Sequence, residues 1–271
     1  MNHLQSLAGR FGTREGRAIY MLVMALRFGL TPTQVLLGKD RELSADERNE
    51  LDIITRRLLL GEPVQYVLGV CTFCGRDFHV EPGVLIPRPE TAQLVGLIRA
   101  EARRGTRALD IGTGSGCIAV SLALEGCEVT AMDISPDALR IAEGNARALG
   151  ADVRMVREDI LHPSEHAERW DIIVSNPPYI RQSEAREMED TVLRHEPHTA
   201  LFVPDGDPLL FYRAIGQFAM QHLEAGGALW LEINREFPQQ TCELLTGLGF
   251  TSAQALRDSY GNFRFVKATR A

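Results

Sequence analysis

Apolar residues recur at helical spacing through the first sixty positions of the chain. Between residues 15 and about 26, one helix face is predicted to carry Ile19, Leu22, Val23 and Leu26. Gly29 can end this helix, and Thr31-Pro32 supplies an N-cap followed by proline at the first helical position. Ser44 and Glu47 form a capping-box pattern that opens another helix, which Gly61 can end. The pattern predicts a small bundle of buried helices.

After residue 63 the hydrophobic residues no longer follow helical spacing. Between Val64 and Val80 the residues are strand-prone, and Gly75-Arg76-Asp77 is a turn candidate, which predicts a β-hairpin. The following segment, Leu85-Ile-Pro-Arg-Pro-Glu-Thr91, contains two prolines and is predicted to be a stiff loop. Its second proline, Pro89, can begin a helix that reaches about Ala102.

From Arg107 onward, short apolar runs alternate with helical patterns. The runs are residues 108–111, 129–132, 153–156 and 171–175. Helices are predicted from Cys117 and from Ser135-Pro136 to about Leu149. This β-α alternation favours a doubly wound sheet of parallel strands.

The length, composition and charge of the chain limit the classes of protein to which it can belong. A chain of 271 residues, 45% hydrophobic and 24% charged, can bury a full core in one large domain or two domains. The formal charge of −7 argues against a surface that grips a nucleic-acid backbone. No apolar run is long enough to span a bilayer, and no signal-peptide pattern opens the chain, so we expect a cytoplasmic protein.

The cysteines do not predict a metal centre or a disulfide framework. The chain has five of them, an odd number without regular spacing. Cys71 and Cys74 form a lone C-x-x-C near His79, without the second pair that a zinc site needs. We therefore expect no metal, and a reduced pair in a strand or turn.

A glycine-rich segment follows the first strand of the alternation. Asp110-Ile-Gly-Thr-Gly-Ser-Gly116 lets the backbone turn sharply and approach a ligand closely. The nicotinamide fingerprint G-x-G-x-x-G is broken, because Cys117 stands where its last glycine would fall. Asp133 ends the next strand and can accept both hydroxyls of a ribose. Asp159, after the third strand, is either an acceptor for an adenine amino group or a solvated loop acid.

Asn176-Pro177-Pro178-Tyr179 is the most informative turn in the sequence. It follows the buried strand 171–175, and the prolines end that strand and hold the backbone extended. The turn offers an amide side chain, backbone carbonyls and an aromatic ring at the carboxyl end of a strand, where open α/β sheets bind ligands. A planar NH2 group needs two acceptors and a ring face to lie on. A strand-terminating turn without chemistry is the alternative.

Together these segments resemble the class I S-adenosylmethionine-dependent methyltransferases that act on planar nitrogen. Within that group the chain is similar to the release-factor glutamine methyltransferases of the PrmC/HemK type. The closer likeness lies in residues 61–69, 85–91, 196–197 and 207–213. The resemblance implies an α/β fold: a class I methyltransferase seven-stranded doubly wound sheet with a small N-terminal helical bundle and a β-hairpin linker. The implied domains are a helical substrate-recognition domain (1–62), the linker (63–84) and the methyltransferase domain (85–271).

The resemblance also implies roles for individual residues. S-adenosylmethionine, whose product is S-adenosylhomocysteine, is expected to bind at Asp110, Gly112, Thr113, Gly114, Ser115, Gly116, Asp133, Ile134, Asp159, Ile160 and Asn176. Asn176, Pro177 and Tyr179 are the expected catalytic residues. The substrate is expected to contact Asn176, Pro177, Pro178, Tyr179 and Arg88. Ile160, Val203-Pro204 and Asn234 depart from the family pattern, which can alter local loop shape but not the chemistry.

The implied reaction is methylation of the glutamine side-chain amide in the Gly-Gly-Gln motif of class I peptide chain release factors, giving N(5)-methylglutamine. The implied enzyme is a monomer that binds neither nucleic acid nor membrane directly. Two other enzymes could use the same turn: a ribosomal-protein glutamine methyltransferase and an adenine N-methyltransferase. A non-catalytic binding module that kept the fold is the alternative outside enzymes.

Overall fold

The computed structural model describes residues 2–165 and 167–271, which form eleven α-helices, three short 3₁₀ helices and eleven strands. The helices are α1 (His3–Phe11), α2 (Thr13–Phe28), α3 (Pro32–Leu36), α4 (Ala45–Leu59), α5 (Val64–Leu68), α6 (Pro89–Arg99), α7 (Cys117–Leu124), α8 (Pro136–Leu149), α9 (Asp190–His195), α10 (Leu210–His222) and α11 (Pro238–Gly247). The strands are β1 (Val70–Phe73), β2 (Arg76–His79), β3 (Arg107–Ile111), β4 (Glu128–Asp133), β5 (Val153–Arg157), β6 (Trp170–Ser175), β7 (Ile180–Arg181), β8 (Phe202–Val203), β9 (Leu223–Glu232), β10 (Ser252–Arg257) and β11 (Phe263–Thr269). Short 3₁₀ helices span Lys39–Glu42, Gln182–Glu187 and His198–Ala200.

The chain divides into two units after Val70. The first unit contains the residues up to Val70 together with Glu189–His195, and the second contains the rest. Helices α1 to α5 of the first unit enclose a core of their own, formed by Leu7, Tyr20, Val23, Met24, Val35, Leu43, Leu51, Ile54, Leu58 and Val67. The predicted helical bundle is therefore present in the structure.

The helix boundaries in the first unit follow the predicted caps. Thr31 and Ser44 each accept a hydrogen bond from the backbone N–H three residues later, and both form complete capping boxes. Gly29 ends α2 in the left-handed conformation, with φ of 65°. The two N-cap side chains each satisfy a backbone N–H that the helix start would leave unpaired, and each contributes about 1 kcal/mol.

The buried face of α2 agrees with the predicted one in part, because Val23 is buried and Ile19 packs against the core. Leu22 and Leu26 are 38% and 41% exposed, whereas Tyr20 and Met24 are buried. The prediction was wrong for Leu22 and Leu26, because several faces of this helix carry apolar side chains and their spacing alone could not identify the buried one. Contacts with the other helices of the unit select the face.

The predicted hairpin is shorter than expected. Residues 64–68 form α5 rather than a strand, and Gly69 ends that helix with φ of 72°. Strands β1 and β2 follow, joined by Cys74 and Gly75, whose φ values are 48° and 75°. Positive φ at both central residues is the geometry of a type I′ hairpin turn, so the turn lies one residue earlier than predicted.

The second unit is built on a seven-stranded sheet. Its strand order is β10-β11-β9-β6-β3-β4-β5, and β11 runs antiparallel to both of its neighbours. The other pairs are parallel, as the β-α alternation predicts. Successive residues of β6 face opposite sides of the sheet: Ile172 and Val174 join the core with α6 and α7, and Ile173 joins the core with α10 and α11. The doubly wound seven-stranded fold is confirmed.

The register of the parallel strands brings three loops to one edge of the sheet. Ile111 pairs with both Met132 and Ser175, the residues near the ends of β3, β4 and β6. The residues that come next, starting at Gly112, Asp133 and Asn176, therefore leave the sheet side by side. Across the described ranges, none of the helices has the length and apolar character that crossing a bilayer requires.

Candidate active site

The glycine-rich loop connects β3 to α7. Three of its glycines have positive φ values of 74°, 55° and 79°: Gly112, Gly114 and Gly116. A Cβ atom added to Gly116 would lie 2.9 Å from the Cβ of Ala142 and 3.1 Å from its Cα. An added Cβ at Gly112 or Gly114 would meet no atom within 4 Å. Gly116 is therefore required for packing against α8, whereas the space beside the other two is open for a ligand.

Asp110 lies beneath this loop and is fully buried. Its Oδ2 accepts hydrogen bonds from the Thr113 hydroxyl at 2.7 Å and from the Ala119 N–H at 3.2 Å. Its Oδ1 has no hydrogen-bond partner in the part of the chain that the structure describes. Burial and, to a smaller extent, the nearby charge of Asp133 raise the pKa of Asp110 to about 7, although the hydrogen bonds from Thr113 and Ala119 oppose the shift. A buried acceptor of this kind can pair with a cationic donor from a ligand.

Asp133 ties the glycine-rich loop to the end of β4. Its Oδ2 accepts from the Gly114 N–H and its Oδ1 from the Ser135 N–H, both at 2.9 Å. Each carboxylate oxygen keeps a further lone pair that can accept a hydroxyl hydrogen. The next side chain, Ile134, is 57% exposed and offers an apolar surface for a flat ring.

Asp159 lies in the turn after β5. Its Oδ1 accepts from the Leu161 N–H at 2.9 Å, and its Oδ2 contacts Nδ1 of His162 at 3.0 Å. The hydrogen bond with His162 lowers the pKa of Asp159 below its ordinary value. The carboxylate thus supports its own loop. The adjacent Ile160 packs partly into the core on the α10 side of the sheet.

The Asn176 turn begins where β6 ends, as predicted. Asn176 is partly buried and Pro177 is buried. The Asn176 Nδ2 donates to the Thr91 hydroxyl at 3.2 Å. The Tyr179 hydroxyl donates to Oε1 of Glu232 at 3.1 Å. Burial is the main cause that raises the pKa of Tyr179 well above its usual range, so the phenol stays neutral.

Thr91 and Glu232 are site residues to which the sequence patterns assigned no role. Thr91 lies in the first turn of α6, and Glu232 ends β9. The available signal was a carboxylate that directly follows the apolar run 228–231, at the carboxyl end of a strand. The connection to Asn176 was not visible in the sequence.

Asn234 is one of the departures from the family pattern, at a position where glycine is usual in the family that the chain resembles. Its backbone is not in the left-handed region, so glycine is not required there. Its Nδ2 donates to the Tyr179 carbonyl at 3.1 Å, and its N–H donates to the Tyr212 hydroxyl at 3.0 Å. Asn234 therefore braces the turn. Val203, another departure, is buried in the short strand β8.

Arg88 lies immediately before α6 and forms an ion pair. Its Nη2 is 2.5 Å from Oε1 of Glu196, whose side chain is buried. Oε2 of Glu196 accepts from the Ile86 N–H at 3.1 Å. The pair holds the proline-rich loop in place, so any contact of Arg88 with a substrate would come in addition to this role.

Two family models match the chain. The PrmC N-terminal domain matches residues 6–69, and the methyltransferase small domain matches residues 90–201. The release factor glutamine methyltransferase of Bacteroides thetaiotaomicron is 44% identical over 269 residues, which cover 98% of this chain and 97% of that protein. The protein of the same name from Flavobacterium psychrophilum is 38% identical over 271 residues, covering 97% and 95%.

Solved structures share the fold at low sequence identity. A methyltransferase from Pyrococcus furiosus superposes with a TM-score of 0.55 at 20% identity, covering 80% of this chain and 97% of that one. A 16S rRNA methyltransferase from T. thermophilus, solved with AdoMet and guanosine, has a TM-score of 0.55 at 21% identity, covering 74% and 50%. At these identities the likeness establishes the architecture of the sheet and not the substrate.

Proposed function

Because the chain belongs to the release factor glutamine methyltransferase family, we propose that it methylates the glutamine of the Gly-Gly-Gln motif in class I peptide chain release factors. The methyl group comes from S-adenosylmethionine, which carries it in activated form on a sulfonium sulfur. The new bond forms between that methyl carbon and the side-chain nitrogen, the carbon–sulfur bond breaks, and the nitrogen loses a proton. The products are N(5)-methylglutamine and S-adenosylhomocysteine.

The observation that carries the proposal is the orientation of Asn176. With Nδ2 engaged by Thr91, the other amide atom, Oδ1, is available as an acceptor. Oδ1 and the carbonyl oxygen of Pro177 can accept the two hydrogens of the substrate amide. These contacts aim the nitrogen lone pair, and Tyr179 contributes an aromatic wall. A carboxamide nitrogen is a poor nucleophile, so catalysis relies on orientation, which can supply roughly 7–11 kcal/mol.

The donor fits the edge of the sheet formed by β3 and β4. The open loop at Gly112 and Gly114 leaves room for backbone contact, and Asp133 can accept ribose hydroxyls. The unpartnered Oδ1 of Asp110 can accept from the donor's ammonium group. Ile134 can cover the adenine, and Asp159 and Ile160 can line its other edge.

The function is tested by methyl transfer to an intact release factor. We expect labelled S-adenosylmethionine to modify one peptide, the one that contains Gly-Gly-Gln, as located by mass spectrometry. The matched control is the same release factor with that glutamine changed to alanine. Label that persists in the control, or label found in a ribosomal protein or in adenine instead, would reject this substrate. We also propose that the enzyme acts as a monomer in the cytoplasm, without direct contact with nucleic acid.

Asp133→Ala is expected to weaken donor binding by at least about tenfold. The substitution removes a charged acceptor for the ribose, and such a hydrogen bond contributes about 1.5–3 kcal/mol. It also releases the N–H of Gly114 from its carboxylate partner. Calorimetric titration with S-adenosylmethionine measures the change. A dissociation constant equal to that of the unmodified protein would contradict the assignment of Asp133.

Donor binding is expected to strengthen as pH rises towards 7. The pKa of Asp110 is raised from 3.8 to about 7, so the group is mostly neutral at lower pH and becomes a carboxylate above it. A carboxylate attracts the donor's ammonium group and a neutral acid does not, so affinity should rise about fivefold from about pH 6 to about pH 7, below the range in which an α-amino group loses its proton. Asp110→Asn is the control, because it cannot ionise. If this variant shows the same dependence on pH, another group is responsible.

A further inference from the structure

Glu232 is a buried carboxylate that the proposed reaction does not use. Only 1% of the residue is exposed. Its Oε2 accepts from the Thr91 hydroxyl at 2.7 Å, and its Oε1 accepts from the Tyr179 hydroxyl at 3.1 Å. Each oxygen therefore holds one residue that shapes the substrate side of the site: Tyr179 directly, and Asn176 through Thr91.

The direction of these hydrogen bonds follows from the number of hydrogens available. Thr91 has a single hydroxyl hydrogen, and it donates this hydrogen to Oε2 of Glu232. The lone pairs of the same hydroxyl then face Asn176 and can only accept. The amide of Asn176 must present its NH2 group to Thr91, which is the arrangement observed at 3.2 Å.

The orientation of Asn176 decides whether the site can accept an amide substrate. In the observed orientation, Oδ1 is free to accept a hydrogen from a substrate NH2 group. Rotation of the side-chain amide by half a turn would place the asparagine NH2 there, and two NH2 groups cannot hydrogen-bond each other productively. Without a partner for Nδ2, the two orientations would compete, and only one of them is productive.

We infer that Thr91 and Glu232 are positioning residues that set the amide orientation of Asn176, and that Glu232 also anchors Tyr179. This inference rests on the proposed function, because it assigns the two residues to the same substrate amide. Arg264 and Glu90 are the charged groups near Glu232. Burial raises the pKa of Glu232 above its ordinary value, and the hydrogen bonds from Thr91 and Tyr179 and the charge of Arg264 oppose this shift.

Thr91→Val tests this inference with a nearly isosteric side chain that lacks the hydroxyl. We expect the single-turnover rate of methyl transfer to fall about tenfold, as for the loss of one oriented hydrogen bond, while donor affinity is unchanged. Thr91→Ser keeps the hydroxyl and should restore the rate to within about threefold. Glu232→Gln should lower the rate at least as much as Thr91→Val, because it also loosens Tyr179.

Thr241→Val is the matched control for replacing a buried threonine. Thr241 is fully buried on α11, and its hydroxyl donates to the carbonyl of Phe237 rather than to the active site. We expect this variant to keep the full transfer rate. A loss as large as that of Thr91→Val would show that removing any buried hydroxyl impairs the enzyme, and would overturn the inference.

Introducing Thr91→Val into the Asn176→Ala variant shows whether Thr91 acts by positioning Asn176 or by a general effect on the structure. With no amide left to orient, adding Thr91→Val should change the rate by less than about twofold. An equal loss in both backgrounds would show that Thr91 acts independently of Asn176 and would overturn the inference.

Amide proton exchange can be measured without substrate, so it tests the orientation of Asn176 independently of the proposed function. In NMR spectra of the labelled full-length protein, the side-chain amide protons of Asn176 should exchange more slowly than they do in Thr91→Val. Equal exchange in the two proteins would overturn the inference, whatever the substrate is. Absence of methyl transfer by the unmodified protein would instead reject the proposed function.

Discussion

Asn176→Ala is expected to lower the rate of methyl transfer by roughly 10²–10³-fold, the range seen when an enzyme loses one preorganised polar group that acts in the transition state. The substitution removes the acceptor for one hydrogen of the substrate amide. It leaves the strand and the two prolines of the turn unchanged. Within the described residues, the hydrogen bond that the Asn176 side chain loses is the one to the Thr91 hydroxyl. We therefore expect the melting temperature to change little.

The measurement is single-turnover transfer to an intact release factor, because product release then does not limit the observed rate. Asn176→Asp is the companion variant. Its carboxylate can accept the substrate hydrogen, but its second oxygen faces Thr91 and competes with Glu232 for the hydroxyl hydrogen. We expect intermediate activity from this variant. Full activity of Asn176→Ala would reject the mechanism even if the substrate is correct.

Replacing three exposed leucines of the first unit is expected to lower kcat/KM for an intact release factor by about 10–100-fold, which corresponds to the loss of one or two strong interface contacts. The three are Leu36, Leu37 and Leu60, whose exposures are 66%, 78% and 76%. We propose that the helical unit recognises the folded protein substrate, and exposed apolar side chains are typical anchors of such contacts. The variant replaces all three with serine.

A short peptide that contains Gly-Gly-Gln is the control substrate for this variant. It should be methylated at the same rate by both proteins, because it occupies only the site on the sheet. Donor binding should also be equal. If the variant and the unmodified enzyme have similar kcat/KM values for the intact release factor, these three leucines do not take part in recognising it. Substitution is a better test than deletion of the first sixty residues, because Glu189–His195 belongs to the same unit and would lose its packing partners.

Local sequence signals predicted most of the secondary structure. Capping residues such as Ser44 act through neighbouring backbone groups, and Pro177 ends a strand because it cannot donate a hydrogen bond. These effects need only a few adjacent residues. The same holds for the strand that ends at Asp133 and the glycine-rich loop after Asp110, which the structure shows in the predicted order.

The errors came from segments whose conformation depends on distant contacts. Residues 64–68 include strand-prone residues, yet they form a helix in which Tyr66 and Val67 are buried. Such a short segment has a weak intrinsic preference, so packing outweighs it. Part of the buried face of α2 was mispredicted for a similar reason, since Leu22 and Tyr20 are both apolar and only the neighbouring helices distinguish them.

By itself, the sequence determined the chemical inventory of the site: a glycine-rich loop, the Asp133 carboxylate, and an amide held by prolines at the end of a strand. Each is specified by a short run of residues. Only the tertiary structure decided which way the amide of Asn176 faces. That orientation depends on Thr91, 85 positions away from Asn176, and on Glu232, 141 positions away from Thr91. Hydrogen-bond direction is set by atoms that meet in space: the strand order of the sheet places β9 beside β6, and α6, which carries Thr91, packs against β9.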